Sequence, residues 1–343
     1  MSQTTSRRDL RRVLGALALD LPRSMVHLAR RGDWVRVVNR RQIVDARKAP
    51  LSVRCSETQT SSLHVCDALP GFGRSLLRAA MRDWSFEFAS DVRFSGTPEL
   101  SFVIPHRGTE REAQLHAVIH SIASLPVAVE CIVVEQDKEQ RLSWLPGNTR
   151  YLHVPGPEDD VAWNKCLALN AGAQVARGRI LVFHDGDILV PVRYGSEITR
   201  LFADEALGVT FPQRFLFYLC QGFTDRLLMN PKPEMLRDAA PEQVRQNWVG
   251  GTLAIRRSAF ESIGGYDTRF TGWTGEDREF HDRCQLLPGW FHGYIPFVHL
   301  WHAPQAEKVD ASARERGNAF VERLLSEPRK QRADRLRSLR EMA

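Results

Sequence analysis

The chain has 343 residues, 43% hydrophobic and 26% charged, which is ordinary for a soluble globular protein with one large domain plus appendages, or with two domains. Its net charge of +6 is uneven: residues 1–48 hold 12 Lys/Arg against 4 Asp/Glu, so the other 295 residues are net −2. The basic excess therefore sits in an N-terminal arm and not on a presumptive working face, which argues against a nucleic-acid binder.

In that arm, Arg7, Arg8, Arg11 and Arg12 flank Leu10, Val13, Leu14 and Leu17, the pattern of a basic amphipathic helix. Such a helix suits either peripheral contact with an anionic membrane surface through residues 1–48 or packing on its own domain. The apolar run Val13–Leu19 stops at Asp20, too short to span a bilayer. With no convincing signal-peptide core and cleavage site, a cytoplasmic protein is expected. Six scattered cysteines without a C-x-x-C pair read as reduced thiols, a Cys55–Cys66 disulfide being the alternative in an oxidising compartment. Residues 49–98 carry a Ser/Thr-rich loop and no evident chemistry.

From Leu100 the pattern alternates. Leu100–Pro105 reads as a strand; Thr109 and Glu112 suggest a capping box opening a helix striped by Leu115, Val118, Ile119 and Ile122; Cys131–Glu135 is the next strand. Tyr151–Val154 is a candidate strand, Asn164–Ala176 a helix, and Ile180–His184 an apolar strand. This alternation predicts an α/β fold, a mostly parallel central sheet with helices on both faces. Leu207–Phe211 and Gly250–Ile255 read as further strands, with a second capping box at Ser258 and Glu261. The polar stretch Asp225–Asn247 between them reads as a long lid or binding loop. A helix follows GWTGEDREF (Gly272–Phe280), a strand-like segment runs from Trp290 to Trp301, and residues 306–343 form a charged helical tail. The division expected is 1–98, 99–305 and 306–343.

Three features carry chemistry: Asp185/Asp187 in HDGD, Glu276/Asp277, and His299/His302. An Asp-Gly step is also ordinary turn chemistry. A paired acid beyond a buried strand, however, sits where α/β sheets gather ligands. Carboxylates with imidazole and open positions suit Mn²⁺ or Mg²⁺ better than structural Zn²⁺. An EF-hand is disfavoured because Ile188–Val190 occupy its ligand positions. Arg107, Arg111 and Lys165 are candidates to meet phosphate charge. On a regular strand residues three apart face opposite ways, so His299 and His302 can share a metal only if the chain bends.

Ile104–Leu115 (IPHRGTEREAQL), Val134-Glu135-Gln136, Trp163–Asn170 (WNKCLALN), DGD and Gly272–Asp277 (GWTGED) stand in one order and spacing. Together they resemble inverting glycosyltransferases of the GT-A fold, above all the β-1,4-galactosyltransferase-like group and its bacterial family 2 relatives. The resemblance spans about residues 99–305. It implies transfer of a sugar of the Gal, GalNAc, Glc or GlcNAc class from a UDP-sugar to a hydroxyl of a glycan or lipid-linked acceptor, with a bound metal, as in polysaccharide biosynthesis. By the same resemblance Pro105, His106, Arg107 and Arg111 line the uridine and diphosphate pocket, with Glu135 near the base. Trp163 and Lys165 match an aromatic-Asn-Arg triplet that holds the nucleotide, although Lys lacks the bidentate fork of Arg. Asp185 meets the ribose or donor sugar, Gly251 lets the backbone approach that sugar, and Trp273 stacks on a sugar face. Asp187 and His302 hold the metal, with His299 a further ligand in some relatives; Asp277 is the general base and Glu276 positions the acceptor. Thr274 stands where the pattern has glycine, and Arg278 where it has an acid. The alternative is a non-catalytic nucleotide-sugar or glycan-binding module docking through its basic arm.

Overall fold

The computed structural model describes residues 52–155, 163–272, 275–304 and 311–341, and residues 13–22, 25, 33–36, 39–40 and 43–45 of the N-terminal arm. The strands are β1 (Ile43–Asp45), β2 (Ser52–Arg54), β3 (Ser61–Ser62), β4 (Leu100–His106), β5 (Val129–Asp137), β6 (Arg150–Pro155), β7 (Ile180–His184), β8 (Ile188–Leu189), β9 (Val209–Thr210), β10 (Gln213–Tyr218), β11 (Gln243–Gln246), β12 (Thr252–Arg256), β13 (Gly289–Trp290) and β14 (Ile295–His299). The longer helices are α1 (Pro70–Ala80), α2 (Glu112–Ala123), α3 (Lys165–Val175), α4 (Tyr194–Phe202), α5 (Gln221–Met229), α6 (Arg257–Ser262), α7 (Glu276–Cys284), α8 (Ala311–Ser326) and α9 (Arg329–Glu341).

Among these residues the strands form two sheets, one in the order β1-β2-β13-β9-β12-β7-β4-β5-β6 and one in the order β3-β11-β10-β14-β8. At the heart of the larger sheet β4, β5, β6 and β7 run parallel, and β12 joins β7 antiparallel. β4, β5 and β7 are buried along their whole length, as parallel strands covered on both faces must be. Alternate side chains confirm the two covers. Phe102 and Ile104 pack with Leu115, Val118 and Ile122 of α2, whereas Val103 packs with Cys166, Leu169 and Ala173 of α3. Each such buried aliphatic or aromatic side chain contributes about 1.5–3 kcal/mol. The α/β class and the helices on both faces are therefore as expected.

α3 lies close to the sheet because a Cβ on Gly172 would collide with Val103 and stand 2.9 Å from Val134. Its first turn is closed by Asn164, whose Oδ1 accepts from Leu167 N at 2.9 Å, a cap worth about 1 kcal/mol. Neither expected capping box forms. α2 begins after Arg111, where Thr109 offers its backbone carbonyl to Glu112 N, and α6 begins after Arg256, both without a side-chain cap. Arg257, at the head of α6, instead donates to the carbonyls of Ala173, Ala176 and Gly178 at the end of α3.

Two larger corrections concern the second half. Residues 225–247 are not an open lid: they continue α5, form a 3₁₀ turn at Pro233–Asp238 and add β11 to the second sheet, with Leu227, Leu236 and Val244 buried. The segment Trp290–Trp301 is not one strand either. β13 belongs to the large sheet and β14 to the small one, and the chain breaks at Gly293, where a Cβ would run into the Pro212 backbone. Segments preceding residue 98 edge both sheets, β2 on β13 and β3 on β11. Val13, Leu14 and Leu17 are exposed, whereas Arg7, Arg8, Arg11 and Arg12 lie outside the described residues. No helix among the described residues is long and apolar enough to cross a membrane.

Candidate active site

The DGD turn is the junction between the two sheets. β7 ends in the large sheet at His184, and two residues after Gly186 the chain re-enters as β8 in the small one. Asp185 stays with the first sheet, its N–H donating to Gly251 O at 2.9 Å. Asp187 turns to the second: its carbonyl accepts from Leu300 N at 2.8 Å, and β8 pairs with β14 so that Ile188 lies opposite His299. Each sheet thus claims one carboxylate.

Asp187 is buried, 5% exposed, and faces two imidazoles. His302 Nε2 lies 3.2 Å from Oδ2 and His299 Nε2 3.6 Å from Oδ1. One ligand atom from each of the three residues fits within 4.8 Å of the others. The chain does bend: β14 ends at His299, so strand alternation no longer separates the two rings. His302 Nδ1 sits 2.8 Å from Ala303 O, the contact that orients Nε2 toward a metal. His299 stacks on Tyr218 at 4.3 Å between ring centroids. Burial alone would raise the Asp187 carboxyl, but the neighbouring His299, His302 and Arg111 hold it well below the usual range. Burial pushes His299 down while the Asp187 carboxylate pulls it back up, and the net direction is downward. One buried carboxylate and two imidazoles fit a divalent transition ion such as Mn²⁺ better than Mg²⁺, which prefers oxygen. Arg111 Nη1, 3.2 Å from Asp187 Oδ2, adds fixed positive charge at the rim.

On the other side of Asp185 stands a second charged group. Lys165, the first residue of α3, places Nζ 2.9 Å from Asp185, 3.5 Å from Asp277 and 3.8 Å from Glu276. Both acids belong to the first turn of α7, which starts at Gly275 in a left-handed conformation, φ 82°. Burial pushes the Asp277 carboxyl up to about 7; Lys165 pulls it down, and Glu276 and Asp185 push it up. Burial works against the Lys165 ammonium, yet the three carboxylates hold it well above its ordinary value. Lys165, His184, Asp185, Gly251, Tyr266 and Asp277 line a cleft here.

Asp185, Lys165, Glu276 and Asp277 therefore form one cluster, and Arg111, Asp187, His299 and His302 another beside it. Lys165 faces carboxylates, not an open phosphate site. Glu135 is a correction: it is fully buried, its carboxylate accepting from Arg141 N, Leu142 N and Tyr151 OH, so it holds the turn after β5 and shows no face to a nucleotide. Pro105 and His106 are buried in β4, and His106 Nε2 meets Gly108 O at 2.7 Å, fastening the turn that carries the half-buried Arg107. Trp163 is half-buried and its carbonyl accepts from Gly272 N at 2.6 Å. Gly251 has φ 98°, a conformation that by itself favours glycine, and a Cβ there would stand 2.7 Å from Ile188 Cδ1. Trp273 and Thr274 lie outside the described residues. Arg278 pairs with Glu322 of α8 at 2.5 Å. Three residues escaped the sequence reading: Tyr218, Tyr266 and Gly250. A Cβ on Gly250 would lie 2.5 Å from Asp277 Oδ2; the doubled glycine before β12 was the available signal.

Residues 237–290 match the family model described as the N-terminal domain of galactosyltransferase. This stretch, galactosyltransferase-like, contains β11, the Gly250–Gly251 pair, β12 and the first turn of α7 with Glu276 and Asp277, in keeping with the resemblance read from the motifs. No curated protein sequence matches the chain significantly. Among solved structures, a mannosyltransferase from Pyrobaculum calidifontis in complex with GDP-Man and Mn²⁺ is 16% identical, with a TM-score of 0.39 over 71% of this chain and 68% of that one. A Drosophila β1,4-galactosyltransferase 7 variant in complex with manganese, UDP-Gal and xylobiose is 20% identical, with a TM-score of 0.36 over 60% of this chain and 71% of that one. The same enzyme's catalytic domain with xylobiose scores 0.34 at 20% identity over the same shares.

Proposed function

We propose that the protein is a metal-dependent, inverting glycosyltransferase of the GT-A fold, moving a sugar of the Gal, GalNAc, Glc or GlcNAc class from a UDP-sugar to a hydroxyl of a glycan or lipid-linked acceptor. The observation that carries the reading is the pairing of two clusters across Asp185: a carboxylate–imidazole set fit for a divalent cation, and a carboxyl tuned to about 7 at a helix N-terminus. In this reading residues 99–305 are the catalytic domain, with 1–98 and 306–343 as extensions. The enzyme works in the cytoplasm on polysaccharide precursors, and its basic arm touches the membrane face.

Asp187, His299 and His302 would hold a divalent cation, which when bound would supply charge neutralisation for the departing diphosphate. Arg111 adds to that field from the rim. Asp277 accepts the proton of the acceptor hydroxyl, a task for which a carboxyl near neutral is well matched. Lys165 keeps a usable fraction of Asp277 ionised and ties it to Asp185, while Glu276, 3.8 Å from the same ammonium, positions the acceptor. One base and one in-line displacement invert the anomeric centre.

The test is a panel of UDP-sugars scored for UDP release with Mn²⁺ and after chelation, with and without acceptor sugars. Release by one donor that stops on chelation supports the reading. Tight UDP binding without turnover of any donor would replace it with the binding-module alternative.

A further inference from the structure

The last helix, α9, buries a charge. Arg332 is 1% exposed; its Nη1 lies 2.6 Å from Glu279 Oε1, and its Nη2 donates to Asp282. Glu279 and Asp282 both belong to α7, the helix whose first turn carries Asp277. Glu279 is also gripped by the buried Arg283, with Nε 3.0 Å from Oε1 and Nη2 2.7 Å from Oε2. Arg283 donates in turn to the carbonyls of Ile263 and Gly265. One carboxylate thus sits between two guanidiniums, and Arg329 adds a contact to Asp282 at 2.7 Å.

The backbone is shaped to receive α9. Gly264 and Gly265 have φ of 81° and 67°; a Cβ on the first would stand 2.5 Å from Leu336 Cβ, and on the second 2.8 Å from Arg340 Cζ. At the other end of α7, a Cβ on Gly275 would lie 3.1 Å from Val321 of α8. Buried ion networks contribute little net stability, and their best-attested use is to specify one geometry. A helix held from two sides by hydrogen-bonded charges has little freedom to rotate or slide.

We propose that α9 is a positioning element of the active site: by clamping Glu279 and Asp282, Arg332 sets the register of α7 and so the place of Asp277 over Lys165. The proposal rests on Asp277 acting as the base. Arg332 contacts Glu279 and Asp282 and is not among the residues that line the cleft with Lys165 and Asp277, so it is a positioning residue.

Full-length Arg332→Met and Arg332→Lys, each with Mn²⁺, are compared with wild type for kcat, donor KM, UDP affinity and hydrogen exchange of residues 276–284. A base displaced by about 1 Å loses on the order of a hundredfold in rate, so the Met variant should lose about that factor in kcat and keep its UDP affinity within about twofold. Exchange in α7 should quicken while β7 and β14 stay protected, and the Lys variant, which keeps one charged contact, should recover part of the rate. Unchanged kcat despite faster α7 exchange overturns the proposal; so does a parallel loss of UDP affinity and β7 protection, the mark of general loosening. If wild type transfers no sugar from any UDP-sugar, the functional reading fails by itself. Exchange still tests the clamp then, and unaltered protection of residues 276–284 in Arg332→Met refutes it.

Discussion

The two halves of the candidate site are built by different means. The metal half is made of strand ends: Asp187, His299 and His302 are brought together by the step from β7 to β8 and by the β8–β14 ladder, through backbone bonds such as Leu300 N to Asp187 O. The other half is made of helix ends: Asp277 lies in the first turn of α7 and Lys165 starts α3, and α7 touches side chains from far along the chain, Arg332 and Val321 among them. Sheet register moves in whole residues, so strand-built geometry is either right or lost. A packed helix can shift by fractions of an ångström. The metal half should therefore answer mainly to changes in its own residues, and the other half also to changes at a distance.

The largest effect should come from the proposed base. Asp277→Asn removes the proton acceptor while leaving the strand ends intact, so kcat should fall by about 10²–10⁴-fold, with UDP affinity in the presence of Mn²⁺ unchanged in a calorimetric titration. Retained turnover would remove Asp277 from its role.

On the metal side, Asp187→Ala should cost about 10²–10³-fold in turnover, the scale of losing one preorganised electrostatic partner. It should also abolish the difference between UDP binding with and without Mn²⁺. Binding that depends on metal as strongly as before would place the ion elsewhere.

Gly250→Ala probes the seam between the halves. Its new Cβ would stand 2.5 Å from Asp277 Oδ2, and Gly250 has no positive φ to strain. The fold should survive, with its melting temperature nearly unchanged, while the displaced carboxylate lowers kcat by about tenfold. A large loss of thermal stability with normal kcat in the folded fraction would contradict this.

The smallest effect is a shift in pH dependence. The base must be ionised, so kcat should rise with pH through about 7. Lys165 lowers the Asp277 pKa, whereas burial, Glu276 and Asp185 raise it. Lys165→Met therefore moves the midpoint to higher pH and leaves less activity at neutral pH. A pH–kcat profile with an unmoved midpoint would show that Lys165 does not tune the base.

How much of this was legible in advance follows from the range of the forces involved. The apolar runs of β4, β5 and β7 and the stripe of α2 announce buried strands and a covering helix, because period and burial are local properties. DGD and GWTGED are local too. The second sheet was hidden: β11 reads QVRQ, and Gln246 becomes acceptable inside because it finds Ser61 and Arg214, partners far off in sequence. Residues 225–247 looked polar enough for a loop for the same reason.

Glu135 and the C-terminal tail show the limit from both directions. An acid at a strand end reads as a ligand, and only the folded turn shows Arg141 N, Leu142 N and Tyr151 OH already using it. A run of arginines reads as a solvated face, and only the packing of α9 on α7 puts Arg332 in the interior. By itself the sequence determined the α/β alternation and the residue types of the chemistry, since both follow from local pattern. Tertiary structure alone decided which charges meet: that both histidines reach Asp187, that Lys165 serves three carboxylates, and that the end of the chain grips the helix bearing Asp277. A charge is placed by its partner, and partners distant in sequence become neighbours only when the chain folds.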